Sequence, residues 1–259
     1  MRSGNVAYNS SGFHRALARL TRLRPGQTVL DLGCGRGRTL GYLLELIGPD
    51  GRAVGLDLSA DLLELAGRDH HREVSAGRLQ LLQHDATLAL PFADASFDAV
   101  LCQNVLECIP EKAPFLAQVH RVLRPGGALL LGHHDFDAVL LTSSDRELTE
   151  SLVHGYASMQ LPGMKSADAQ MGRQLPALMA QSPFRDLEAV STLDVDLALG
   201  SDGSILDLLQ SLYDAAPAGT DPARLRRWRE DLGDRDAKGT FYCAIPWVLV
   251  SRSAPSPEI

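Results

Sequence analysis

The chain has 259 residues, 45% hydrophobic and 22% charged, enough for one domain with a full core and an insertion or lid. A net charge of −7 argues against a nucleic-acid partner. No apolar stretch approaches the roughly 20 residues that span a bilayer, and Met1 to Phe13 has no apolar run, so a cytoplasmic protein without a membrane partner is expected. In chain order, Ser11 to Leu23 comes first and fits an amphipathic helix. Its apolar side is Phe13, Ala16, Leu17, Leu20 and Leu23, its cap is Ser10 or Ser11, and His14 and Arg15 lie on it. Arg24-Pro25-Gly26 ends it. Val29 to Arg38 then reads as a short buried strand, a glycine-rich turn and the start of a helix that runs to Ile47 and stops at Gly48-Pro49-Asp50-Gly51. Gly33, Gly35 and Gly37 let the backbone meet a ligand with no Cβ in the way. Cys34, Cys102, Cys108 and Cys243 form no C-x-x-C pair and are expected to be reduced core or pocket residues.

A strand from Arg52 to Leu58 places Asp57 about 20 residues beyond Gly37, where an acid accepts both hydrogen bonds of a ribose diol. Capping the next helix is the alternative, but Ser59 fills that role. That helix spans Ala60 to Val74, with Leu62, Leu63, Leu65 and Ala66 as its apolar side. A third strand, Arg78 to Gln83, leads to His84-Asp85-Ala86, and His84 suits either a pocket or an exposed loop. The fourth strand follows Ser96-Phe97-Asp98 and exits at Cys102-Gln103-Asn104. Glu111 to Leu123 is helical. Pro125-Gly126-Gly127 is a turn and not a phosphate cradle, because no helix follows it. Strand five is Ala128 to Gly132, and His133-His134-Asp135-Phe136-Asp137 emerges from it. Adjacent side chains diverge on an extended chain, so His133 and His134 are not expected to share a metal ion. An imidazole titrating near pH 6.5 can take a proton from a hydroxyl or amine. Shaping a pocket is the other reading of both histidines.

Beyond Val139 the alternation breaks. Helices are expected over Asp145 to Met159 and Met171 to Gln181, separated by Leu161-Pro162-Gly163. Met159, Met164, Met171 and Met179 suit an adaptable pocket or plain core, and Arg173 either an acidic acceptor or a salt bridge. Phe184 to Leu199 contains a strand with Leu187, Ala189 and Val195 turned inward. Helices follow over Asp202 to Ala215 and Pro222 to Leu232. In the second, Arg224, Arg226, Arg227 and Arg229 are balanced by Glu230 and Asp231. Phe241 to Val250 is the last strand. Pro246 removes a backbone donor there and implies a bulge or edge.

The phrase Leu30-Asp31-Leu32-Gly33-Cys34-Gly35-Arg36-Gly37 resembles motif I of the class I S-adenosylmethionine-dependent methyltransferases. Leu90-Pro91-Phe92, Ser96-Phe97-Asp98 and Arg121-Val122-Leu123-Arg124-Pro125-Gly126-Gly127 resemble later landmarks of that family, in its small-molecule, type 11-like form. The resemblance covers Leu23 to Gly132 and is weaker elsewhere. It implies an α/β fold: a doubly wound, seven-stranded mixed sheet, Rossmann-like, with a helical lid after strand five. The single domain would comprise a cap helix (1–24), a cofactor-binding core (25–134), a lid or acceptor insertion (135–183), C-terminal strands and helices (184–252) and a disordered tail (253–259). The implied cofactor is S-adenosyl-L-methionine. Asp31, Gly33, Cys34, Gly35 and Gly37 would approach its amino-acid part, Asp57 and Leu58 its ribose, and Asp85 with the backbone of Ala86 its adenine. A carboxylate at Asp85 selects the amino edge of adenine, since it only accepts. Backbone around Cys102 and Gln103 would hold the ammonium, and Leu106 would pack near the adenine. A basic residue of the first helix, His14 or Arg15, would meet the carboxylate or else lie solvated at the surface, and Asp98 would be structural. Many members carry histidine where this chain has Glu107 or Cys108.

The implied reaction moves the sulfonium methyl group to N, O or C of a small molecule, such as a specialised metabolite. Alignment of the acceptor supplies most of the acceleration. His134, His133 and Asp135 are the candidates for a proton acceptor or pocket wall, and no metal is expected. The expected partner is the small-molecule acceptor, with a homodimer one open state of assembly. Two alternatives stand beside this reading: a non-catalytic S-adenosylmethionine-binding protein, and a nicotinamide-dependent reductase. Against the second, Arg38 stands where G-x-G-x-x-G needs glycine.

Overall fold

The computed structural model describes residues 17, 19–159, 168–199 and 204–254. Short runs of Val, Leu and Ala alternate with amphipathic segments and form β1 (Thr28–Leu32), α1 (Arg38–Ile47), β2 (Arg52–Asp57), α2 (Ala60–Asp69), α3 (His71–Ser75), β3 (Leu79–Gln83), β4 (Phe97–Gln103), α4 (Lys112–Val122) and β5 (Leu123–His134). These five strands are parallel and lie side by side in the order β3-β2-β1-β4-β5. After them come β6 (Leu140–Leu141), α5 (Arg146–Ala157), α6 (Met171–Ala180), β7 (Arg185–Asp196), α7 (Ser204–Asp214), α8 (Pro222–Ala237) and β8 (Cys243–Ser253). β8 runs antiparallel between β5 and β7, and β6 pairs with Ala244 and Cys243 past the end of β5. The seven-stranded mixed sheet is therefore present, with the two-residue β6 as an addition. Chain direction across the sheet reverses between β1 and β4, and the crevice beyond their C-terminal ends is where such folds bind ligands.

Successive strand residues feed opposite helical layers. Leu30, Leu32, Val100, Cys102 and Leu131 pack with α4 and α6. Val29, Ala99, Leu101 and Leu130 pack with α1, α2 and the buried Leu17 and Leu20. A third cluster joins α5 to α7 and α8 around Trp228, so the insertion after β5 shares its core with the C-terminal helices. α6 leaves that group: Met171, Leu175 and Met179 are buried in the main core, the core alternative for those methionines.

Several expectations change. The helix over 60–74 breaks at His70, whose backbone (φ −115°, ψ 30°) is not helical, giving α2 and α3. Pro125-Gly126-Gly127 forms an irregular stretch inside β5, because the ladder to β4 jumps from Phe97↔Leu123 to Ala99↔Ala128. Leu187 and Ala189 are exposed rather than inward, since β7 is an edge strand whose Val190 faces the core. Pro246 lies in an interior strand. Its carbonyl accepts from Asp135 N–H at 2.8 Å just where β5 has ended, so its missing donor falls between two neighbours. Ser253 ends β8 and Ala254 is buried, so neither belongs to a disordered tail, and residues 255–259 lie outside the described ones. Ser10, Ser11, His14, Arg15 and Met164 lie outside the described residues.

Asp98 is structural, as expected. Its Oδ2 accepts from the Thr28 amide at 2.8 Å and pairs with Arg124, tying the start of β4 to the start of β1. Asp98→Ala should lower stability by about 1–2 kcal/mol, while Asp98→Asn, which keeps an acceptor, should lose less. Equal denaturation midpoints for the two variants would refute this.

Candidate active site

A cleft of about 350 Å³ opens at the switch point, lined by Asp31 and Gly33 to Arg36 after β1, Arg38 and Thr39 of α1, Asp57, Leu62, and Gln103 to Val105 after β4. Gly33 is at φ +73° and a Cβ there would sit 2.1 Å from Val105 Cγ2, so the β1 turn and the β4 exit touch only because this residue is glycine. Asp57 organises the turn: Oδ2 accepts from Gly35 N–H at 2.8 Å and Oδ1 from Ser59 N–H at 2.9 Å. Each oxygen keeps a lone pair, because a carboxylate offers about four acceptor positions. Ser59 caps α2 as expected, accepting from Leu62 N–H at 3.3 Å. Gly37 starts α1 in the left-handed conformation without a side-chain cap, so the first-turn amides and the positive end of the helix dipole remain for a ligand. His70 Nε2 meets the Gly37 carbonyl at 2.8 Å and braces the turn from α2.

The same cleft also holds acceptors. Asp31 is 2% exposed, and burial together with the charge of Asp57 pushes its carboxyl up to about 7. Gln103 donates to Thr39 Oγ1 at 3.3 Å, while its buried Oε1 has no hydrogen-bond partner among the described residues. Burial and the two aspartates raise the Cys34 thiol far above its usual range, so it is an uncharged wall of the cleft.

Beyond β5 the expected proton acceptors separate into different roles. His134 Nδ1 meets Asn104 Nδ2 at 2.9 Å and Nε2 meets Asp194 Oδ2 at 3.2 Å, so the amide donates to Nδ1 and the imidazole donates to the carboxylate. Burial pulls its pKa down to about 3. With both ring nitrogens engaged, His134 is a strut and not a base. Asp135 is buried and clasped at both oxygens by Arg173, the salt-bridge alternative for that arginine. It too is structural. His133 Nδ1–H donates to the His134 carbonyl at 2.7 Å, and its Nε2 is left 3.8 Å from Glu107 Oε1. Burial draws its pKa down to about 4, so it is a neutral acceptor.

Five cofactor candidates are not on the cleft wall: Gly37, which starts α1, and Leu58, Asp85, Ala86 and Leu106. Leu106 is 1% exposed inside the main core, and Ala86 packs against that core. Leu58 is 60% exposed, because the chain leaves β2 one residue earlier. Asp85 Oδ1 accepts from Thr87 N–H and Oγ1–H at 2.9 and 2.7 Å, holding its own turn. Thr39, Leu62, Asn104 and Val105 are wall residues that motif spacing did not single out. Asn104 carried a signal: it has φ +50°, which asparagine tolerates better than most residues, directly after a buried strand. Among the described residues no three His, Cys, Asp or Glu side chains converge as a metal ion would require.

Residues 30–131 match the family model of the methyltransferase domain. The chain is 31% identical over 238 residues to an uncharacterized 37.1 kDa protein in transposon TN4556 of Streptomyces fradiae, covering 90% of this chain and 64% of that protein. It is 37% identical over 111 residues to the demethylmenaquinone methyltransferase of Listeria welshimeri, covering 43% of this chain and 46% of that one. The chain thus spans less than two thirds of either relative. A putative methyltransferase from Bacillus halodurans superposes with a TM-score of 0.60 at 15% identity, covering 95% of this chain and 100% of that one, a likeness of fold. Motif I lies at the turn after β1 with this sheet behind it, so residues 30–131 are similar to a methyltransferase domain in sequence and the whole chain is similar to a methyltransferase in fold.

Proposed function

We propose that the chain methylates a small molecule at N, O or C, of the kind found among specialised metabolites, with S-adenosylmethionine as methyl donor. The observation that carries the reading is the charge layout of the cleft. Two buried acceptors, Asp31 and Gln103 Oε1, line the same cleft as the uncapped N-terminus of α1 with Arg38 and Thr39. An amino-acid zwitterion fits this arrangement, its ammonium toward the acceptors and its carboxylate toward the helix. The remaining lone pairs of Asp57 suit a ribose diol, which extends the adenine toward Leu62, Leu58 and the Asp85 turn. Bound there, the cofactor supplies an electrophilic methyl group on sulfonium. The protein's share is to hold the acceptor in line with it, excluding water. His133 is the candidate for contact with the acceptor, whereas His134 and Asp135 hold the walls. A dinucleotide is disfavoured by Arg38 at the position its pyrophosphate turn needs for glycine. Binding without turnover remains the second reading, and incubation with labelled S-adenosylmethionine and a metabolite pool separates the two by a mass gain of one methylene.

Asp57→Ala removes both the anchor of the turn and the ribose acceptor. It should weaken S-adenosylhomocysteine binding by on the order of tenfold to a hundredfold in titration calorimetry. An unchanged dissociation constant would displace the ribose from Asp57.

A raised Asp31 holds a proton in the empty protein below about pH 7, and an arriving ammonium favours its loss. S-adenosylhomocysteine affinity should therefore rise from pH 5.5 to about 7 and then level, with up to about one proton released on binding near pH 6. Asp31→Asn should flatten that dependence; if its pH profile matched the unmodified protein's, the ammonium would not lie against Asp31.

A further inference from the structure

Glu107 sits two residues past the cleft wall at Val105, in a single 3-10 turn over Leu106–Cys108, and is 9% exposed. It faces His133, which lies on the neighbouring strand β5 one residue after the Gln103↔Gly132 pair. His133 is 1% exposed, and its Nε2 has no hydrogen-bond partner among the described residues. Because Nδ1–H is spent on the His134 carbonyl, Nε2 carries a lone pair and asks for a donor. Its 3.8 Å separation from Glu107 Oε1 is too long for a direct hydrogen bond and short enough for one group to contact both.

Asp168 adds a second carboxylate. Its Oδ1 accepts from Gln170 N–H and Gln174 Nε2–H, and its charge reaches both Glu107 and His133. The segment is held close by Phe136 N–H, which donates to the Ala169 carbonyl at 2.9 Å. Phe136 also lies edge-on to His133 (6.2 Å between ring centres) and to Tyr156 (5.8 Å). Cys108 and Tyr156 both feel the charge of Glu107. The cluster thus presents three acceptors, Nε2 and two carboxylates, next to two aromatic rings. A hydroxyl brings one donor to such a place. An ammonium brings up to three donors and a positive charge, which the rings also favour.

We propose that the methyl acceptor is an amine, held as its ammonium between His133 Nε2, Glu107 and Asp168, and that Glu107 takes the proton that frees its lone pair. This rests on the methyltransferase reading above. The balance is simple. The ammonium gives one proton to the Glu107 carboxylate and becomes a neutral amine. Its lone pair forms the N–C bond as the S–CH3 bond breaks, and that electron pair returns to sulfur, leaving a neutral thioether and an N-methylammonium product. Glu107 then returns its proton to solvent. Burial and Asp168 raise the Glu107 carboxyl to about 7, which makes it a stronger base than the neutral His133.

The test uses the full chain with benzylamine and benzyl alcohol as size-matched probes. The 15N resonances of labelled histidine and titration calorimetry are read with and without S-adenosylhomocysteine. Benzylamine should shift the His133 Nε2 signal and bind about tenfold or more tightly than benzyl alcohol, as charged hydrogen bonds require. Glu107→Gln and Asp168→Asn should each erode that preference while leaving S-adenosylhomocysteine affinity unchanged. The inference falls if benzyl alcohol binds as well, if benzylamine leaves His133 unmoved, or if the preference survives both substitutions. Failure of S-adenosylhomocysteine to bind the unmodified protein would instead strike the methyltransferase reading. The histidine signal in the unloaded protein still reports on the amine.

Discussion

The carboxylate of Asp57 reaches from the end of β2 to the Gly35 amide and to the Ser59 amide at once. That pair of hydrogen bonds fixes the glycine turn against the neighbouring strand. Gly33 and Cys34 add two more, donating to the Leu56 carbonyl at 2.7 and 3.0 Å. The turn is therefore held mainly by the strand beside it, with one internal bond from Gly37 N–H to the Cys34 carbonyl at 2.9 Å, and Val105 closes against it from the other side. Rigid backbone of this kind presents its donors without reorganising when a ligand arrives.

Polar groups at the ends of β1, β4 and β5 lie in a region where water is scarce, so each needs a partner. Most have one. Asn104 serves the backbone and ring of His134, Asp194 takes the other ring nitrogen, and Arg173 neutralises Asp135. The exceptions are informative because the rest is so fully paired. Gln103 Oε1 opens beside the glycine turn and His133 Nε2 beside Glu107. One lies at the place proposed for an amino-acid head group, the other at the place proposed for the methyl acceptor. α6 secures the second position: a Cβ on Gly172 would come within 3.0 Å of the His133 carbonyl, so that helix lies directly on the end of β5.

The helices beyond β5 show a division of labour that chain order conceals. α5 packs with α7 and α8 around Trp228, whose Nε1–H donates to Thr149 Oγ1 at 2.8 Å. Arg224 of α8 grips Asp145, the cap of α5, across 79 residues of chain. α6, between them in sequence, belongs to the sheet instead.

Local chemistry by itself determined the strand-turn-helix at Val29 to Ile47, the acid after β2, the parallel half of the sheet and the capping serine at 59. In each case the residue's own conformational preference or its periodicity carries the information, and burial on both faces enforces it. Tertiary structure alone decided which of His133, His134 and Asp135 retains a vacant valence, because that depends on Asn104, Asp194 and Arg173 arriving from elsewhere in the chain. It also decided that Leu106 is core and not wall, that β7 turns Leu187 outward as an edge strand, and that Glu107 faces an imidazole. A hydrogen bond or a buried face is a property of two distant segments, and periodicity within one of them does not contain it.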